Sequence, residues 1–167
     1  MNLYFMRHGI AVDRADGGVK ADRERTLTPK GIKRMQKAAK GVAVLSLSFD
    51  RILSSPLERA RQTAKIVAQT LKLEDRLEEI EQLCPDRSAQ ELLAGLATYS
   101  GEKEILLVGH EPLLSSTVSY LLSGKAGAPI QFKKGGLCCI QVDALPPQES
   151  AVLCWAVTPK LLRLMAR

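Results

Sequence analysis

The stretch "EILLVGHEP", residues 104–112, decides the fold. Ile105 to Val108 is an unbroken apolar run with no polar alternation. A strand of that kind is covered on both faces, as in a parallel sheet between two layers of helix. The run stops at Gly109-His110, and Pro112 is a helix start. A strand that ends in an imidazole and feeds straight into a helix is thus the unit to look for elsewhere.

It recurs twice. "NLYFMRHGI", residues 2–10, is an apolar strand that ends in Arg7-His8-Gly9. "DRILSS", residues 50–55, is a shorter strand that ends in Ser54-Ser55 before Pro56. Helix signals fill the intervals. Thr28 caps a helix with Pro29 at its first position, and Ile32, Met35, Ala39 and Val42 make its apolar stripe. Ser55 to Glu58 reads as a capping box with Pro56 at the first helical position. Leu57, Ala60, Ala64, Val67 and Leu71 are its inward face. Ser88 to Glu91 is a second capping box, backed by Ala89, Leu92, Leu93 and Leu96. The helix after Pro112 turns Leu114, Val118 and Leu121 inward. A weak strand is expected near 78–83. Two closing strands, 136–142 and 151–157, are joined by eight residues, which suits an antiparallel pair. The order predicts a three-layer α/β/α sandwich with a mostly parallel sheet and an antiparallel edge strand, formed as a single domain over 1–167.

Composition narrows the partners. The 167 residues carry a net charge of +6, which permits anionic partners without demanding them. Aromatic residues are only 4% and no nucleic-acid-binding motif is present, so a nucleic-acid partner is not expected. The longest apolar runs are too short to span a bilayer, and no membrane partner is expected. Cys84, Cys138, Cys139 and Cys154 form no Cys-x-x-Cys, and reduced, buried thiols in a cytoplasmic protein are the expectation. The two histidines lie 102 positions apart, so neither a metal site nor a cofactor is expected.

In open α/β sheets, ligands bind outside the carboxyl ends of the strands. Those ends deliver Arg7-His8, Ser54-Ser55 and Gly109-His110, with Arg59 in the first turn of the helix after the second strand. Two arginines, both histidines and two helix N-termini converge on one edge. Arginine matches phosphate oxygens bidentately, and a helix N-terminus attracts anions. A phosphate or sulfate anion is expected there, with Gly9 letting the backbone approach it. Neutral imidazole is a nucleophile, and nearby cations favour the neutral form. The same cations stabilise a phosphoryl-transfer transition state, whose charge spreads over three oxygens.

"MRHGIAV" at 6–12, "LSSPLERARQTA" at 53–64 and "LLVGHEPLL" at 106–114 together resemble the histidine phosphatase, or phosphoglycerate mutase-like, superfamily. "LTPKG" at 27–31 and "KKGGLCCI" at 133–140 fit as well. The short chain is similar to the small SixA-type phosphohistidine phosphatase branch. The resemblance implies His8 as the phosphorylated nucleophile, Arg7 and Arg59 as holders of the phosphoryl oxygens, and His110 as a second phosphate-contacting catalytic histidine. Gly9 and Ser54 are further phosphate-binding candidates. It implies hydrolysis of phosphohistidine on a protein, with a histidine phosphotransfer-type protein as partner. The alternatives are a small-molecule phosphomonoesterase of the same superfamily and a non-catalytic phosphate-binding module.

Several residues near these motifs read differently. Arg61 lies two positions beyond Arg59 and faces away from it. Arg14, Arg23 and Arg25 belong to a long polar loop, 11–27, and read as solvated. The stretch "EEIEQLCPDRSAQELL", 78–93, lacks the family's glutamate pattern. Glu81 and Asp86 are the nearest general-acid candidates, but they read as a solvated residue and a helix-start residue. Without a placed acid an ester oxygen leaves poorly, whereas a phosphorylated imidazole needs less help.

Overall fold

The computed structural model describes residues 1–13, 22–125 and 127–166. Its strands are β1 (Asn2–Arg7), β2 (Arg51–Ser54), β3 (Leu77–Glu79), β4 (Glu104–Gly109), β5 (Leu137–Gln141) and β6 (Val152–Val157). The α-helices are α1 (Pro29–Val44), α2 (Glu58–Leu71), α3 (Ala89–Gly95), α4 (Leu113–Ser123) and α5 (Pro159–Met165). One six-stranded sheet has the order β3-β2-β4-β1-β5-β6. The first four of these are mutually parallel. The expected sandwich around a mostly parallel sheet is what forms. The strand that runs against the rest is β5, one place in from the edge, with β6 outside it. The short link from β5 to β6 makes that pair antiparallel.

The side-chain alternation of each strand explains why both faces are apolar. From β1, Tyr4 and Met6 enter one core, and Leu3 and Phe5 the other. From β4, Leu106 and Val108 join the first, and Ile105 and Leu107 the second. The first core is closed by α1, α2 and Leu162 of α5. The second is closed by α3 and α4.

Local signals decide where the helices begin. Thr28 Oγ1 accepts the Gly31 N–H at 3.0 Å, with Pro29 next in line. The buried face of α1 is Gly31, Met35, Ala38, Ala39, Gly41 and Val42, and Ile32 lies one step off it at 37% exposed. Gly31 and Gly41 let α1 close on the Ile10 carbonyl and on Leu162, where any Cβ would clash. Ser88 and Glu91 form the expected capping box. The box expected at Ser55 does not form: α2 begins at Glu58 with no side-chain cap. Ser55 instead accepts the Leu57 N–H at 3.3 Å and turns toward His110.

The terminal helix α5 was not anticipated. Its start, Thr158-Pro159, repeats the Thr28-Pro29 signal, and Thr158 caps it in the same way. Cys84, Cys138 and Cys139 are buried as expected, but Cys154 is exposed, because nothing covers the outer face of β6. Among the described residues no helix is long and apolar enough to cross a membrane.

Candidate active site

The parallel register builds the site. Arg7 of β1 pairs with Gly109 of β4, and Ser54 of β2 with Val108. The residues after each strand therefore leave the sheet at one edge, side by side. The His8 N–H donates to the Gly109 carbonyl at 3.0 Å, and the Ser55 N–H to the Val108 carbonyl at 3.0 Å. The His8 and His110 ring centroids lie 5.0 Å apart, one strand spacing. Both rings are buried, 6% and 2% exposed.

His8 Nδ1 lies 2.7 Å from the Gly9 carbonyl. A carbonyl only accepts, so Nδ1 carries the proton and the neutral ring keeps its lone pair on Nε2. Burial lowers the His8 pKa to about 3; the Gly9 hydrogen bond opposes this, and the charges of Arg59, Arg7 and Lys134 add to it. His110 is lowered to about 2, by burial first and then by His8 and Arg59. Both rings are thus neutral at pH 7. His110 Nε2 sits 2.9 Å from Ser55 Oγ, which leaves Nδ1 buried with no hydrogen-bond partner among the described residues. Arg7 donates from Nη1 to the Phe132 carbonyl at 2.8 Å, while its Nε is likewise buried and unpartnered. Two buried polar nitrogens without a partner demand an explanation, and an anion supplies one.

Arg59 is buried and lowers both histidines, which puts it in the same cluster. Its guanidinium also holds Asp22, at 2.6 Å to the carbonyl and 3.1 Å to the carboxylate. Burial raises the Asp22 carboxyl, but Arg25 and Arg59 outweigh it and hold the pKa below the ordinary value.

Two of the expected phosphate contacts, Gly9 and Ser54, have protein partners of their own. The Gly9 N–H is donated to Thr63 Oγ1 at 3.0 Å. Glycine is needed there for a different reason: a Cβ would lie 2.6 Å from Met35 Cγ of α1. Ser54 is fully buried and gives its hydroxyl proton to the Ser55 carbonyl at 2.9 Å.

Asp22, Thr63, Glu111 and Phe132 were not anticipated. Thr63 ties α2 to β1, accepting from Gly9 and donating to the Arg59 carbonyl at 2.7 Å. Glu111 accepts the Phe132 N–H at 3.2 Å and so fixes the carbonyl that holds Arg7. These contacts span many residues of sequence and leave no periodic signal; only "KKGG" at 133–136 marked the neighbourhood. Arg23 pairs with Glu81 at 3.2 Å, Arg25 with Asp22 at 2.8 Å, and Arg61 with Glu58 and Glu79. Arg14 lies outside the described residues. Glu81 also accepts the Cys84 thiol at 3.3 Å, and Asp86 is exposed beyond it. Among the described residues no group of His, Cys, Asp or Glu side chains is arranged to hold a metal ion.

An α/β sandwich with paired histidines and arginines at its carboxyl edge defines a phosphoryl-handling class. The chain belongs to the histidine phosphatase superfamily, whose branch 1 pattern matches residues 3–83. It is 36% identical to a phosphohistidine phosphatase SixA homolog of Haemophilus influenzae, over 79% of this chain and 82% of that one. A protein of Picosynechococcus sp. is 40% identical over 86% of this chain and 87% of its own. Among solved structures, the protein histidine phosphatase SixA complexed with tungstate superposes with a TM-score of 0.83 at 26% identity, covering 97% of this chain and 99% of that one. These relatives support a phosphatase, a hydrolase.

Proposed function

We propose that this protein hydrolyses the P–N bond of a phosphohistidine carried on another protein, through a phosphohistidine intermediate at His8. The observation that carries the reading is the tautomer of His8. With Nδ1–H given to Gly9, the neutral ring keeps its lone pair on Nε2, 5.0 Å ring to ring from His110 and within the field of Arg7, whose Nε is buried and unpartnered like His110 Nδ1. The name of the Haemophilus relative and the tungstate bound by SixA support an anion in the same place.

Nε2 of His8 attacks phosphorus, and the P–N bond to the substrate imidazole breaks. That imidazole leaves as a neutral ring, because its distal nitrogen is already protonated near pH 7 and the breaking bond returns an electron pair to the other. Arg7, Arg59 and His110 hold the three equatorial oxygens. His110 donates from Nδ1 when the Ser55 hydroxyl donates to its Nε2. Water then attacks phospho-His8, releases phosphate and restores the ring. No carboxylate hydrogen-bonds to either histidine among the described residues; Asp22, whose charge acts on His110, is held by Arg25 and Arg59, and Glu81 is engaged by Arg23 and Cys84. Esters need a proton donor at the leaving oxygen, worth typically ~10²–10⁴-fold, and P–N substrates do not.

The test is kcat/KM on a histidine-phosphorylated carrier protein against unactivated phosphomonoesters and sugar phosphates, with Glu81→Gln and Asp86→Asn alongside. The carrier protein is expected to be preferred, with both variants near wild type. Faster turnover of a simple ester, lost in either carboxylate variant, would favour the phosphomonoesterase instead.

A further inference from the structure

Next to the histidines lies a second cleft, of about 310 Å³. Its floor is Gly9 and Ile10, the two residues that follow His8, together with Met35. Its walls come from α1, from the Lys133-Lys134 turn and from the start of α5. Those walls bear Arg34, Lys133, Lys134, Lys160 and Arg163 and no carboxylate. A shallower hollow adjoins it, shares Lys160 and Arg163, and adds Lys37.

A cationic helix face alone is a solvated surface. Here six cations come from three segments far apart in sequence and converge on one groove. None of the six makes an ion pair or a side-chain hydrogen bond among the described residues, whereas six other arginines pair with carboxylates. A groove lined by one sign of charge focuses the field and raises the local concentration of counter-charge. The strip also reaches the reaction centre, since Lys134 acts on His8.

We propose that this cleft docks an acidic patch of the protein that presents the phosphohistidine; the proposal rests on the function proposed above. Charge complementarity selects the occupant. All the cations but Arg163 are exposed, which suits contact between two protein surfaces rather than the enclosure of one small anion. The cleft has no aromatic side chain on which a base could stack, which counts against a nucleic acid. A partner seated there lies beside the reaction centre, because Gly9 and Ile10 of the cleft floor directly follow His8.

The test uses three substrates: phosphoimidazole, and two synthetic peptides of equal length with one phosphohistidine each. One peptide carries glutamates on one flank, the other glutamines. Wild type is compared with the triple variant Arg34→Gln, Lys37→Gln, Lys160→Gln, all exposed positions, with folding checked by circular dichroism. Wild type is expected to favour the glutamate peptide by on the order of ten-fold in kcat/KM at low salt, mainly through KM. That preference is expected to fade in about 0.5 M salt, where the screening length is only a few Å. The triple variant is expected to lose the preference and keep its rate on phosphoimidazole. Turnover of all three substrates with no glutamate preference overturns the docking proposal alone. So does an intact preference in the triple variant, or stronger competition by a duplex oligonucleotide than by polyglutamate. No turnover of any of the three overturns the proposed function and the docking with it.

Discussion

The two histidines make the stability of this protein depend on pH in a way that can be worked out. Both are buried neutral, with pKa values of about 3 for His8 and about 2 for His110, against an ordinary 6.5. Below pH 6.5 the unfolded chain takes up protons at these positions and the folded chain does not. Stability therefore rises with pH across that window and is complete above it. At pH 5 each histidine costs the fold about 2 kcal/mol relative to pH 7, since 1.5 pH units below 6.5 at 1.36 kcal/mol per unit gives that amount. Together the loss is about 4 kcal/mol, a large share of a domain's usual 5–15 kcal/mol. The carboxylates held low, Asp22 and Asp50, contribute mainly below this range. The assay is urea unfolding at pH 7 and pH 5 in phosphate-free buffer, on wild type and on the double variant His8→Asn, His110→Asn. Wild type is expected to lose about 4 kcal/mol more than the variant over that interval. Equal losses in the two proteins would refute the claim that these rings are held neutral by burial.

His8→Ala is expected to lower turnover by on the order of 10⁴-fold or more while the fold survives, and to abolish the acid-labile, base-stable phosphoryl label that wild type acquires. Asp22→Asn removes a carboxylate 3.1 Å from the Arg59 guanidinium; tungstate or phosphate affinity, measured by calorimetry, is expected to rise several-fold, since that carboxylate opposes any anion there. Unchanged affinity would place the anion away from Arg59. Gly9→Ala is expected to cost about 1–3 kcal/mol in urea unfolding, because the new methyl meets Met35 Cγ at 2.6 Å. In a Met35→Ala background the same substitution is expected to cost almost nothing; an undiminished cost there would trace the strain to the backbone instead.

Much of the architecture was legible in order along the chain. Ile105–Val108 announced a strand buried on both faces, and the two core clusters on either side of β4 are the reason that pattern exists. Thr28-Pro29 and Ser88–Glu91 specified helix starts, because a cap needs only residues within one turn of each other. The convergence of Arg7, His8, Arg59 and His110 also followed from sequence, since parallel strands all end at one edge. What the chain could not announce was how that edge is wired. Ser55 had two satisfactory uses, as a helix cap or as a partner for an imidazole, and only the position of His110, 2.9 Å away across the sheet, decided between them. Gly9 looked like room for a phosphate, but packing against Met35 decided its use and Thr63 took its amide. Asp22 came to Arg59 from a loop with no period to read, 37 positions away. Local hydrogen bonds and hydrophobic periodicity are properties of neighbours in sequence. Donor competition, burial and the pKa values they set depend on which distant segments the fold brings into contact.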